Sequence, residues 1–501
     1  MRAAALAILA AWGGTSSQEG IPSALWGRKG ERWDPKGRLP DFSFAGYRMG
    51  AVPIPDVPVR ANVRDFGAVG DGKADDTKAF QEALSKTREG AVWVPPGRYV
   101  ITDFLTIGRS GVVLRGAGPG KTTLYFPRYL NDVKPNWGAT TSGRKTSNYS
   151  WDYGYVVIQS GFGRRRLAAV AARAERGTRV VVLDRTAGIK AGDFVDLRQV
   201  ETDGSLTRHL YAGQTGNTGK LDHVRTSFVS RVLEVGADRI LLERPLRTDV
   251  DPRWKAEVYA FEPAVTDSGV EGLAFEYPCE PYKGHFTELG YNPVTIRNAA
   301  HCWVRDIRVV HGDNGPFVSG GRFCTLQRIV LESQREPDKA SRCTGHHGIT
   351  FNYGDDNLVE DFDIRTRFIH DLTVDHGSAG NVFRRGKGVD LSLDHHKRAS
   401  HANLFANLDA GEGSRLYLCG GGDALGRHSG AWETFWNLRS RRPQRWPPED
   451  FGPDLMNFVG VESGEKPLLD PAGRWWEPIP PGRLLPQDLY EAQRSRRLGS
   501  R

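Results

Sequence analysis

Apolar residues in the second half of the chain fall in short alternating runs that return at a nearly constant interval. The run HCWVRDIRVV at 301 aligns with FCTLQRIVLE at 323, an offset of 22. NLVEDFDI at 357, NVFRRGKG at 381 and NLFANLDA at 403 follow at offsets of 24 and 22, and ETFWNLRS at 433 is a later echo. A period of 20 to 25 residues built on β-branched residues and Leu marks a solenoid, because one coil cannot bury its own apolar face and successive coils must share a core. Cys302 and Cys324 then lie one above the other, as a thiol stack or as a disulfide along the axis.

One phrase is nearly duplicated. Leu372-Thr-Val-Asp-His376 returns as Leu391-Ser-Leu-Asp-His395, nineteen positions on, and Ile349-Thr-Phe-Asn-Tyr353 precedes the first by 23. Stacked as three coils, strand alternation sends Ile349, Phe351, Leu372, Val374, Leu391 and Leu393 inward. Thr350, Asn352, Thr373, Asp375, Ser392 and Asp394 then point outward, with coils about 4.8 Å apart.

The first half reads differently. Residues 19–60 are rich in Pro, Gly and aromatics and form an extended arm. In the segment Asn62 to Ile101, Ala79, Phe80, Ala83 and Leu84 make an apolar stripe at helical spacing, with Asp75 or Asp76 as N-cap. Two strands divided by a Pro-Pro-Gly turn follow, and SGVVLRGAGPGKTTLYF supplies two more. Asp71, Asp75 and Asp76 read as turn residues and helix cap, not as metal ligands. Residues 165–260 alternate in the style of a small antiparallel β module. The organisation expected is a signal peptide (1–18), the arm (19–60), an N-terminal cap and first coils (61–164), the inserted module (165–260), the main coils (261–462) and a Pro- and Arg-rich C-terminal arm (463–501).

Asp65 to Leu84, Pro96 to Tyr99 and Gly116 to Gly118 closely resemble the opening of the pectate-lyase superfamily, whose pattern is DFGAxGDGxxDDTxAxQxAL, then PxGxY, then a strand ending in GxG. The resemblance implies an all-β fold, a right-handed parallel β-helix with a short N-terminal capping helix. It does not fix the reaction, since the same opening precedes lyases, hydrolases and phage tail spikes.

Composition agrees with turn-rich β structure: 59 Gly and 13 Trp against 3 Met. The formal charge of +8 favours an anionic partner. The start MRAAALAILAAWGGTSSQEG, with an apolar run from Ala3 to Trp12, has the form of a secretory signal too short to span a bilayer, so a secreted or periplasmic protein is expected. Export and the lack of a recognisable nucleic-acid module argue against a nucleic-acid partner. Five Cys cannot all pair internally, and the absence of Cys-x-x-Cys argues against a structural zinc site.

Candidate chemistry gathers between 352 and 398. Stacked carboxylates repel, so Asp375 and Asp394 need a cation, a shared proton or hydrogen-bond donors. Ca²⁺, a hard ion that takes oxygen ligands, is one answer, with Asp375 and Asp394 as the ligands. Asp355, Asp356, Asp375, His376, Lys387, Asp394 and His395 are the candidate catalytic groups. Asn352, Arg384, Arg385, His396, Lys397 and Trp151 are candidate substrate contacts. A second resemblance, to polygalacturonase-type β-helix hydrolases, rests on Gly354-Asp355-Asp356 and His376-Gly377. It implies paired catalytic carboxylates at Asp355 and Asp356 with His376 in support, although the family's Asn-x-Asp and Arg-Ile-Lys motifs have no counterpart. The basic residues favour β-elimination from a uronic-acid polysaccharide, which needs a base near the α-proton and positive charge on the carboxylate. Hydrolysis, and a non-catalytic glycan-binding β-helix, are the alternatives.

Overall fold

The computed structural model describes residues 19–499; the signal-like segment 1–18 lies outside them. Seven strands form one all-parallel sheet in chain order: β1 (Leu105–Ile107), β2 (Val156–Gln159), β3 (Val294–Arg297), β4 (Phe317–Ser319), β5 (Gly345–Asn352), β6 (Phe368–Asp375) and β7 (Leu393–His395). From β3 onward the strands between them in sequence pair in parallel as well. Trp303–Val310 pairs with Thr325–Glu332, and Leu358–Glu360, Val382–Arg384, Leu404–Asp409, Thr434–Arg439 and Asn457–Val461 continue the series.

Apolar residues from both sets of strands meet in one continuous core. Aromatic rings run through it: Phe351, Phe383, Phe405, Phe435, Phe458 and Trp476 follow at centroid spacings of 5.0, 4.9, 5.6, 4.6 and 4.9 Å. Stacked rings add a favourable term beyond the area they bury. The Asn that opens each repeat has its own role. Asn357, Asn381 and Asn403 bond side chain to side chain at 3.0 and 2.9 Å, and the buried carboxylate of Glu433 accepts from Asn403 at 2.8 Å. Cys302 and Cys324 are buried free thiols, so the stack carries no disulfide there.

The duplicated phrase does not stack on itself. Leu372 pairs with Leu393, Thr373 with Asp394 and Val374 with His395, an offset of 21 rather than nineteen. Leu391 lies in the core ahead of β7, and the shift by two residues puts Asp394 beside Thr373 instead of Asp375.

Helix α1 (Thr77–Lys86) buries Ala79, Phe80, Ala83 and Leu84 against the first strands of the core. The carboxylate of Asp75 accepts the Thr77 N–H at 3.0 Å, while Asp76 accepts from Val69 and Gly70. Along another side, Trp26, Leu39 and Phe42 of the N-terminal arm, with Leu489 and Tyr490 of helix α2 (Leu489–Gly499), cover Leu358, Val382, Leu404 and Trp436. Ile21–Pro22 pairs with Leu484–Leu485, tying the two ends of the described chain together.

Between β2 and β3 the parallel pattern stops. Six antiparallel strands stand in the order Arg166–Ala169, Glu257–Ala260, Phe194–Val200, Arg225–Val235, Arg239–Leu242 and Val180–Val182, with a core of their own. Arg244 clamps Asp356 through both terminal nitrogens at 2.9 and 2.7 Å, and Arg247 bonds the same carboxylate. This buried cluster fixes the module against the parallel stack. No helix among the described residues is long and apolar enough to cross a membrane.

Candidate active site

The residue after each of the four central strands, β3 to β6, turns the corner in the left-handed region. Asn298, Gly320, Tyr353 and His376 follow β3 to β6 with φ of 48°, 70°, 53° and 53°. This conformation is unfavourable for side chains other than those of Asn, Asp and Gly, and its persistence requires support from the surroundings. The support is a ladder: the N–H groups of Asn298, Gly320 and Tyr353 donate to Ser319, Asn352 and Asp375 carbonyls of the next coil at 2.9, 2.7 and 3.3 Å. The row is thereby fixed, and it projects Tyr353 and His376 side by side, ring centroids 4.3 Å apart.

These four corner residues line one wall of a 470 Å³ groove whose other wall is the antiparallel module. The groove is rich in arginine. Arg198 pairs with Asp196 at 2.7 Å, and Arg322 pairs with Asp355 at 3.1 Å while donating to the Tyr353 carbonyl at 2.7 Å. Arg164 and Arg225 form no ion pair among the described residues, and the Arg225 guanidinium lies over the Tyr353 ring at 5.1 Å. Two positive charges are left without a carboxylate partner in a concave site, which attracts an anion. A smaller hollow, sharing Arg225, Tyr353 and His376, continues the groove toward Arg398.

Behind this wall stands Asp375, whose Oδ2 lies 2.7 Å from His376 Nδ1. Burial pushes the carboxyl of Asp375 up, but His376 outweighs it and holds the group below its ordinary value. The contact lacks hydrogen-bond geometry, so Asp375 acts on the ring as a nearby negative charge, which favours a proton at Nδ1 and leaves Nε2 as an acceptor. Asp355 behaves in the opposite way: burial raises it to about 6 against the pull of Arg322 and Arg247. Burial and Asp375 both raise the Tyr353 phenol.

Other sequence candidates lie elsewhere. Asp356, next in sequence to Asp355, is enclosed with Arg244 and Arg247, which hold it below its ordinary value despite burial, so it is an anchor and not a groove carboxylate. His395 is wholly buried among Phe405, Phe435 and Phe451, its Nδ1 2.9 Å from the Leu393 carbonyl, because the register turns it into the core. Arg384 is buried beneath α2, bonded to Glu360 and Asp488 at 2.9 Å, and Arg385 pairs with Asp361 and Glu360. Lys387 is exposed beside Asp363 on another surface, in a hollow separate from the groove. Lys397 lies against Gly421, outside both parts of the groove. Asn352 and Trp151 stand near the groove row, with the Asn352 amide 3.5 Å from the Trp151 carbonyl and the Trp151 ring edge-on to Phe286.

Nor do Asp375 and Asp394 form a calcium site. Asp394 is sealed among donors: Gly420 N–H at 2.7 Å, Thr373 hydroxyl at 3.1 Å and His396 Nδ1 at 2.9 Å. Burial alone would pull His396 down, yet Asp394 raises it to about 9. A calcium ion takes several oxygen acceptors, and hydrogen-bond donors surround this carboxylate instead. Sequence reasoning missed Tyr353 as a site residue and passed over Arg164, Arg198, Arg225 and Arg322, three of which come from the module or its entry. It also passed over a group of buried histidines beside Asp394. The signal for these was present: His347 and His370 are paired across β5 and β6 at the same offset, 23, as Ile349 and Leu372.

Residues 60–133, the segment that suggested the resemblance, match the family model described as rhamnogalacturonase A/epimerase, pectate lyase-like. Alginate lyase 7 of Azotobacter vinelandii is 36% identical over 97 residues, 18% of this chain and 11% of that protein. Mannuronan C5-epimerase AlgE4 of the same organism is 32% identical over 97 residues, 18% of each. The chain thus spans less than a fifth of the length of these curated relatives. Among solved structures, the tailspike protein gp49 of Pseudomonas phage LKA1 superposes with a TM-score of 0.53 at 13% identity, over 76% of this chain and 59% of that one.

Proposed function

We propose that this chain is an exported right-handed parallel β-helix enzyme, capped by α1, that cleaves an acidic, uronic-acid-containing polysaccharide by β-elimination in the arginine-lined groove. The observation that carries the reading is the left-handed corner row, which holds Tyr353 and the Asp375-paired His376 against unpaired arginine charge. Arg225, with Arg322 beside it, neutralises the uronate carboxylate and acidifies the proton α to it. His376 Nε2 takes that proton as general base, with Asp375 stabilising the imidazolium that forms. The leaving glycosidic oxygen receives a proton from the Tyr353 phenol or from Asp355, which is neutral below pH of about 6.

The names of the matched relatives support the substrate class, since a lyase and a C5-epimerase acting on a polyuronate both begin by removing the proton α to a carboxylate. Hydrolysis of the paired-Asp type is less well supported, because Asp356 is committed to two arginines. The test is incubation of the purified chain with a panel of polyuronates while following the ultraviolet absorbance of the unsaturated product. A rise that disappears in His376→Ala is the expected result. New reducing ends without that absorbance would establish hydrolysis, and binding with neither would make the chain a non-catalytic glycan binder.

A further inference from the structure

Away from the groove, three imidazoles converge with their polar edges unanswered. His346 comes from β5, His370 from β6 and His285 from the strandless segment between Glu276 and Val294. One ring nitrogen of each lies within 4.8 Å of the others. The Nε2 atoms of all three are buried and have no hydrogen-bond partner. Such unsatisfied buried groups are rare and point to something that completes them.

The surroundings fix what that is. His346 Nδ1 lies 3.5 Å from Glu288 Oε2, and His370 Nδ1 lies 3.4 Å from Asp394 Oδ2. Both carboxylates are fully buried and are themselves held, Glu288 by the Tyr282 hydroxyl and Asp394 by Gly420 N–H. A carboxylate on the Nδ1 side is the placement found behind metal-binding histidines, and here neither Nδ1 makes a hydrogen bond, so both nitrogens of His346 and His370 are unanswered. Gly420 leaves room: a Cβ at that position would stand 2.9 Å from His370 Nε2.

We propose that His285, His346 and His370 form a site for a divalent transition metal of the zinc class, with Glu288 and Asp394 orienting two of the rings. Three imidazoles with an open fourth position suit zinc, whereas calcium requires oxygen ligands. The ion ties the strandless segment to β5 and β6. Phe286, stacked on His285 at 3.6 Å and edge-on to Trp151 at 6.2 Å, then fixes the Trp151 edge in place. This site is independent of the polysaccharide reading, and its test does not use activity.

The untagged chain, loaded with Zn²⁺ and dialysed against metal-free buffer, is expected to retain about one zinc per chain by plasma mass spectrometry. Cobalt in its place should give the strong visible absorption of a four-coordinate ion. His285→Ala, altered in a segment without strands, should lower the zinc affinity at least tenfold with an unchanged circular dichroism spectrum, and Glu288→Gln should lower it about 10- to 100-fold. His376→Ala, outside the set, should keep its zinc. Background metal in the loaded wild type, or cobalt absorption unchanged in both His285→Ala and His346→Ala, would overturn the proposal.

Discussion

Two regions of this chain are equally crowded with charge in sequence, and the structure treats them in opposite ways. The patch of Glu360, Asp361, Arg384, Arg385 and Asp488 is a closed network under α2, every charge facing an opposite one at 2.7 to 3.0 Å. The groove beside Tyr353 and His376 keeps Arg164 and Arg225 without carboxylates and a carboxyl, Asp355, displaced to about 6. Crowding by itself is therefore not a mark of function; what distinguishes the groove is incomplete neutralisation with access from solvent. The contrast is sharpest at two consecutive residues. Asp355 borders the groove, and Asp356 is spent on Arg244 and Arg247.

That contrast breaks first at Asp356. Asp356→Ala leaves two buried guanidinium groups without a carboxylate and should cost about 3–5 kcal/mol of stability in denaturant unfolding. His376→Ala should do the reverse. Its side chain is a quarter exposed, so the melting temperature should hardly move, while kcat/KM on the proposed polyuronate substrate falls about 10²- to 10⁴-fold. A loss of stability matching that of Asp356→Ala would erase the distinction.

Asp355 sharpens the comparison through pH. Its carboxyl titrates at about 6 in the folded chain against an ordinary 3.8, so between those values the folded chain keeps a proton that the unfolded chain has lost. Native stability should then fall as pH rises through that window, and Asp355→Asn should abolish that slope. Arg225→Ala removes one unpaired charge from the groove and should raise KM about tenfold, with a weaker salt dependence of binding. The smallest effect belongs to Lys387→Ala. That side chain is 63% exposed, and its loss should change stability by less than about 0.5 kcal/mol and leave turnover intact.

Much of the fold was legible because a repeating polymer of strands carries its period in its apolar residues. The offset of 22 between Cys302 and Cys324 is also the offset at which Trp303 pairs with Thr325. The site was less legible. Asp375 and His376 come together with Asp355 along the groove, yet Asp394 and His395 do not join them, since the similar phrase at 391 is two residues out of register. Phrase similarity assumes a fixed coil length, and the turn before β7 is shorter than the turn before β6. The outward ladder was also expected to meet solvent. Thr350, Thr373 and Asp394 are instead almost fully buried, under segments near 285 and 420 that no local pattern assigns to that face.

The sequence alone determined that short strands stack in parallel, that Ala79 to Leu84 form one face of a helix, and that the opening resembles a known superfamily. Those features depend on the spacing of apolar residues and on local turn chemistry, which are written along the chain. Only the tertiary structure decided which charges are answered. Whether Asp355 or Asp356 reaches a groove, and whether His370 meets solvent or two other imidazoles, depends on what distant segments cover, because burial and pairing are set by neighbours in space.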